Sequence, residues 1–255
     1  MTTGHAAAEI RSILETDRNW SAYALADLDP SLSEHAEWLV DGDSVVLLYG
    51  GLHPPVLFAH GEPQGVKRLF DQLPAAEVQY TLQPTHRSLL GQRLEPLHET
   101  KMWRMILRPA DFPGPPVLET HRLATEHLDQ IGRLMAGQPD RPDAFSPSQL
   151  ESGVFYGIFR GDRLVSMAGT HVVSQENDTA AVGNVFTDPN QRGRGYGRAT
   201  CASVVADLLA VGIGTIVLNV AMANEAAVKV YRALGFWPFC GYYEGVGWLA
   251  SPVEA

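Results

Sequence analysis

The clearest hydrophobic pattern lies in the second half of the chain. From Tyr196 to Val211, the residues Cys201, Val204, Val205, Leu208 and Val211 recur at three- and four-residue intervals, which places them on one helical face. Gly212 and Gly214 stop that helix. Thr215 to Ala221 is rich in β-branched residues and predicts a strand, and Asn224 caps a helix running to Leu234 and ended by Gly235. Upstream, Phe155 to Arg160 and Leu164 to His171 read as strands joined by the hairpin dipeptide Gly161-Asp162, and Ala180 to Thr187 as another strand. Ser146-Pro-Ser-Gln149 is a helix start: a serine cap, proline in the first helical position and glutamine three residues after the cap. His121 to Ala136 predicts a helix after a short strand at 117–120, and the aromatic, glycine-rich stretch from Phe239 to Trp248 holds a last strand. The predicted order is β-α-α-β-β-β-α-β-α-β.

The first half has weaker periods. Residues 6–18 and Gln64 to Gln72 predict helices, the latter after Pro63 with Leu69 and Leu73 on one face. Ser44 to Tyr49, Val56 to Ala59, Glu77 to Leu82 and Lys101 to Leu107 predict strands. Between the halves, residues 108–116 hold prolines 109, 113, 115 and 116, which fix φ and favour an extended connector. The expected division is therefore 1–115 and 116–255. A 255-residue chain has room for two such domains.

Composition narrows the function classes. Hydrophobic residues make up 45% and charged residues 19%, as in ordinary folded domains, so wholesale disorder is excluded. The net charge of -10 argues against a nucleic-acid or anionic-membrane binder. Cys201 and Cys240 lack metal or redox spacing and read as free thiols in a reducing compartment, with Cys201 in the core. Residues 1–20 have no signal-peptide core, and no run reaches the ~18 apolar residues of a membrane span. The expectation is a cytoplasmic protein without metal, a monomer or homodimer. His53, His60 and His98 are scattered and read as loop or surface residues, and Trp103 as packing. Phe239, Tyr242, Tyr243 and Trp248 are open between an acceptor pocket and the core.

Chemistry concentrates in Asp188-Pro-Asn-Gln-Arg-Gly-Arg-Gly-Tyr-Gly-Arg198, between a strand and a helix. Glycines allow tight turns and close approach, the first N–H groups of the helix attract anions, and Arg192, Arg194 and Arg198 add positive charge. Physically this is a pyrophosphate cradle or an arginine-bearing surface turn. A nucleotide P-loop needs Lys-Ser/Thr after its last glycine, but Arg198-Ala199 follows here. A dinucleotide G-x-G-x-x-G fails because Arg198 or Thr200 stands at the third glycine. The remaining pattern, R-x-x-G-x-G from Arg192 to Gly197, resembles the coenzyme-A loop of the GNAT superfamily of N-acetyltransferases. Asn224 to Phe236, with a helical Tyr231 and Leu234-Gly235-Phe236, is similar to that superfamily's second signature. The resemblance covers roughly residues 117–245. Val185-Phe186-Thr187 and the Gly169-Thr170-His171 strand end look most like the glycine N-acyltransferase branch, whose N-terminal half is a weak GNAT-like copy; residues 1–115 would be such a degenerate copy.

The resemblance implies an α/β (α+β) fold: a mixed, mostly antiparallel sheet flanked by helices, with a second, smaller GNAT-like domain. It implies an acetyl-CoA-dependent N-acyltransferase acting on a primary amine by direct attack; a small-molecule acceptor is expected, with amino acid, polyamine, antibiotic, aminoacyl intermediate and protein terminus all open. By the same resemblance, Val185, Phe186 and Thr187 would bond the pantetheine arm where their strand opens. Arg192, Gly193, Arg194, Gly195, Tyr196, Gly197 and Arg198 would hold the pyrophosphate, with Asn224 beside the coenzyme arm, and Tyr231 would protonate the leaving thiolate. Many relatives carry a glutamate where this chain has Leu218-Asn219-Val220. An alkyl amine of pKa ~10.4 is only about one part in ~2,500 neutral at pH 7, so a base is needed. His171, with an unperturbed pKa near ~6.5, is the candidate, ahead of Glu151, Glu176 or a water chain. The absent glutamate leaves a non-catalytic acyl-CoA-binding protein as an alternative, and a scaffold whose N-terminal half is its active surface is a second one.

Overall fold

Alternation on the first strands explains how the N-terminal unit fills both sides of its sheet. In the computed structural model, which describes residues 7–30, 32–138, 142 and 145–252, the chain begins with α1 (Ala7–Leu14), α2 (Ala22–Ala26), β1 (Ala36–Asp41), β2 (Ser44–Tyr49) and β3 (Val56–His60). It continues with α3 (Pro63–Phe70), β4 (Ala76–Leu82), α4 (Pro84–Leu90) and β5 (Leu94–Leu107). Val46 and Leu57 join Val66, Phe70 and Tyr80 in one core. Their neighbours Val45, Leu47 and Phe58 join Ile10, Leu14, Trp20 and Leu25 in another. The period of two thus sends alternate residues to α3 on one face and to α1 and α2 on the other.

The second half adds β6 (His121–Arg122), α5 (Leu128–Met135), α6 (Ser148–Ser152), β7 (Tyr156–Arg160), β8 (Arg163–Ser174) and β9 (Thr179–Thr187). After these come α7 (Tyr196–Ala210), β10 (Thr215–Ala221), α8 (Glu225–Arg232) and β11 (Phe236–Leu249). Two units result. One contains Met1–Arg104, Ala221–Ala223 and Pro238–Ala255; the other contains Met105–Val220 and Asn224–Trp237. Within the first, the strand order is β1-β2-β3-β4-β11-β5; within the second it is β10-β9-β8-β7-β6. The β1–β2, β2–β3, β4–β11, β6–β7, β7–β8 and β8–β9 pairs are antiparallel, and β3–β4 and β9–β10 are parallel. This is the mixed, mostly antiparallel sheet with flanking helices that the sequence predicts.

Several local expectations are corrected. The predicted strand at 117–120 lies instead at His121–Arg122, and the helix from His121 shrinks to a 3-10 turn at Thr125–His127 followed by α5. Helix 6–18 is α1 plus a 3-10 turn at Glu15–Asp17, and residue 6 lies outside the described residues. Val211 is exposed beyond the end of α7, whereas Thr200 to Val205 are all buried: small residues on every side let this helix sit deep. His60 is a buried strand residue, its ring nitrogen 2.8 Å from the Thr16 hydroxyl, because the end of β3 lies under α1. Tyr242 is core, while Phe239 and Trp248 are exposed. Cys201 is buried as expected, and burial pushes its thiol up to about 12.

Candidate active site

The site is organised by a strand pair that stops pairing part-way. β9 and β10 run parallel from Thr179/Thr215 to Val182/Leu218. Beyond that point β9 continues to Thr187 and β10 to Ala221 with no residues in register. On its other edge β9 pairs with β8 through two irregularities. Thr170 faces Val182 and Val172 faces Ala181, leaving His171 as an extra residue on β8; Gly169 faces Gly183 and Met167 faces Phe186, leaving an extra residue on β9 at 184–185. The two bulges compensate, so the strands regain register at both ends. Asn184, at the second bulge, has a left-handed φ of 51°.

A polar network fixes both bulges. Gln149, near the start of α6, donates from Nε2 to the His171 carbonyl at 3.2 Å. Its Oε1 accepts from Asn184 Nδ2 at 3.0 Å and from the Ser146 N–H at 3.0 Å. Gln149 therefore makes the predicted reach back to Ser146, while the Ser146 hydroxyl bonds Ser148. The His171 ring lies against Gly183: a Cβ there would sit 2.3 Å from its Nε2. Only glycine leaves room for that ring.

The coenzyme-loop residues are brought together. Val185 and Thr187 are half-buried, and Phe186 is in the core. The Thr187 carbonyl accepts from Arg192 Nε at 3.1 Å, and the Arg192 guanidinium lies 5.8 Å from the Phe186 ring centroid. The loop is braced by buried Asp188, which accepts from the Asn190 N–H at 2.9 Å and from Arg163 at 2.5 Å. Gly193 and Gly195 have φ of 75° and 78°, with no atom within 4 Å of where a Cβ would be. Gly195 is the N-cap of α7 and has no side chain to bond the first-turn N–H groups. Arg192, Arg194 and Arg198 are exposed. Tyr196 is buried, its hydroxyl accepting from Arg160 at 2.8 Å, and this bond lowers its pKa. Left-handed glycines, an uncapped fifteen-residue helix and three arginines fit a pyrophosphate.

Tyr231 lies on α8, which packs on α7, and Asn224 is the N-cap of α8. Asn224 uses its Oδ1 to cap that helix, accepting from the Ala227 N–H at 3.1 Å. Tyr231 is buried and meets Phe236 edge-on with centroids 6.3 Å apart. Glu151 and Glu176 are exposed, one on α6 and one on the β8–β9 turn. Gln149 and Asn184 were not singled out by sequence as site residues. Gln149 was visible only as a capping residue, and Asn184 as one polar residue inside a hydrophobic strand. Among the described residues, no cluster of three or more His, Cys, Asp or Glu is placed to hold a metal, and no helix is long and apolar enough to cross a membrane.

Residues 123–236 match the acetyltransferase (GNAT) family model. The [ribosomal protein bS18]-alanine N-acetyltransferase of Escherichia coli (strain K12) is 30% identical over 120 residues, 47% of this chain and 77% of that protein. The chain belongs to the GNAT acetyltransferase family. A second relative of this GNAT protein, the mycothiol acetyltransferase of Rhodococcus jostii (strain RHA1), is 28% identical over 253 residues, 90% of the chain and 80% of the relative. Among solved structures, a GNAT-family protein described as a putative acetyltransferase, from Novosphingobium aromaticivorans, superposes with a TM-score of 0.63 at 21% identity, covering 93% of this chain and 100% of that one. A Drosophila protein superposes with a TM-score of 0.70 at 14% identity, covering 94% and 97%. Both likenesses concern the fold.

Proposed function

We propose that this GNAT protein transfers acetyl from acetyl-CoA to a primary amine on a small molecule. The observation that carries the reading is the parting of β9 from β10 after Val182/Leu218, with the glycine–arginine loop following directly on the end of β9. An unpaired strand edge offers backbone groups to an extended amide-bearing arm, and the start of α7 offers N–H groups to its phosphates. Arg192 to Arg198 would hold the pyrophosphate, and Val185 to Thr187 the pantetheine arm beside Asn224. When bound, the thioester supplies an activated acyl carbon. His171 would take a proton from the attacking amine. Tyr231 would give one to the sulfur as the C–S bond breaks, so the proton count balances. Of the two relatives, the one named for mycothiol aligns along 90% of this chain and the one named for a ribosomal protein along 47%, which favours a small acceptor. In this reading, residues 116–255 carry the coenzyme contacts, and residues 1–115 are a GNAT-like copy without a coenzyme loop, as in the glycine N-acyltransferase branch.

The test is coenzyme-thiol release from acetyl-CoA across a panel of amines. Transfer by the unsubstituted protein is expected, with kcat reduced roughly 10²–10⁴-fold in Tyr231→Phe and acetyl-CoA affinity nearly unchanged. Gly195→Val, which forces a β-branched residue into a left-handed φ at the mouth of α7, is expected to abolish acetyl-CoA binding. Acetyl-CoA binding without transfer to any amine would return the protein to the coenzyme-binding alternative.

A further inference from the structure

On β10, Asn219 is the first residue past the last β9–β10 pair, Val182/Leu218. Its Oδ1 is buried and has no hydrogen-bond partner among the described residues. A buried carboxamide oxygen without a protein donor is costly, and a ligand or water that supplies the donor removes that cost. Carrying the parallel register one residue further sets Asn219 level with Gly183, the residue against which the His171 ring lies. Asn219 on β10, Gly183 on β9 and the imidazole that Gly183 makes room for thus lie at one level of neighbouring strands, where the β9–β10 pairing ends. Residues 218–220 offer no carboxylate, so Asn219 is the side chain there able to accept from a nitrogen.

We propose that Asn219 binds the acceptor amine, its Oδ1 accepting one N–H and turning the nitrogen lone pair toward the thioester. This inference rests on the acyltransfer reading above. A neutral acceptor orients the amine without holding it as an ammonium ion. A carboxylate would favour the charged, unreactive form.

The experiment compares Asn219→Leu and Asn219→Asp with the unsubstituted protein, using the best amine from the panel. Steady-state kinetics are combined with calorimetric acetyl-CoA binding, and near-ultraviolet circular dichroism checks the fold. Asn219→Leu is expected to lose roughly ten- to a hundredfold in kcat/KM for the amine while the acetyl-CoA Kd stays within about twofold. Asn219→Asp restores an acceptor and is expected to regain part of that loss in amine KM, with the acidic limb of its kcat profile moved to higher pH. Unchanged amine kinetics in either folded variant overturn the proposal. So does a fall confined to acetyl-CoA affinity, which would assign the oxygen to an amide N–H of the pantetheine arm. Should Asn219→Leu not fold, Asn219→Asp alone decides: an unmoved amine KM and acidic limb overturn the assignment. If the unsubstituted protein acetylates no amine, the acyltransfer reading falls and this inference falls with it; transfer with indifferent variants removes this inference alone.

Discussion

Asp27 ends α2 with its carboxyl enclosed by protein, and burial pushes its pKa up to about 7. An unfolded aspartate titrates near ~3.9. Between those values the folded chain binds a proton that the unfolded chain has released, so stability falls as pH rises from about 4 through 7. At ~1.36 kcal/mol per pKa unit, the cost above neutrality is bounded by about 4 kcal/mol. Asp27→Asn keeps the shape and removes the charge, so it is expected to raise Tm clearly at pH 8 and little at pH 4.5. Equal shifts by differential scanning calorimetry at both values would contradict this account. His60 and His86 act in the opposite direction: burial lowers both, so their contribution is present above the unfolded value near ~6.5 and is lost as pH falls below it. None of this is legible in the chain. Leu25-Ala26-Asp27-Leu28-Asp29 contains two aspartates, and only the end of a short buried helix decides that Asp27 is the enclosed one. The placement of Tyr231 on its helix and of the arginines around the start of α7 was legible because their spacing from helix boundaries is local.

Strand alternation located β7 to β10 to within a few residues, yet it could not show the two bulges that shape the site. A period of two assumes uninterrupted pairing, and one inserted residue reverses every later side chain. His171 was placed by sequence at the end of its strand; it is instead the extra residue of a bulge, held by Gln149 and seated on Gly183. Other elements escaped for similar reasons. α2 is five residues long and almost wholly buried, so it has no polar face to mark a helical period. β5 begins at Leu94, seven residues before the predicted start at Lys101, because Glu95 to Lys101 are exposed on both faces and show no alternation. The bulge makes Gly183 a sensitive position. In Gly183→Ala the new Cβ would fall 2.3 Å from His171 Nε2, so the ring must move. A displacement of about 1 Å at a reacting group costs up to ~10² in rate. Gly183→Ala is therefore expected to lower kcat roughly ten- to a hundredfold with little change in acetyl-CoA Kd. Stopped-flow thiol release at saturating amine checks this, and an unaltered kcat would separate His171 from the chemistry.

The proline-rich stretch between residues 108 and 116 looks in sequence like a border, yet chain order and compact unit do not coincide in this protein. Those residues belong to the same unit as β7 to β9, whereas Ala221–Ala223 and Pro238–Ala255 belong with Met1–Arg104. Such an exchange depends on pairing between distant segments, which no local pattern records. β11 lies between β4 and β5, pairing with β4 from Tyr243/Leu82 to Leu249/Ala76. Gly245 and Gly247 let β5 come close, since a Cβ there would lie 2.4 Å from the His98 carbonyl oxygen and 2.6 Å from that of Glu95. A fragment of residues 116–255 retains the coenzyme loop and both signature helices but deprives β11 of both neighbours. It would bare two edges of a fourteen-residue strand that already exposes Trp237, Phe239 and Trp248. Long unpaired edges with apolar side chains recruit other chains. The fragment made alone is therefore expected to aggregate, and co-expression with residues 1–115 is expected to restore a soluble species that binds acetyl-CoA. Size-exclusion chromatography with calorimetric acetyl-CoA titration distinguishes the outcomes. A monodisperse fragment with full affinity would show that β11 needs neither β4 nor β5.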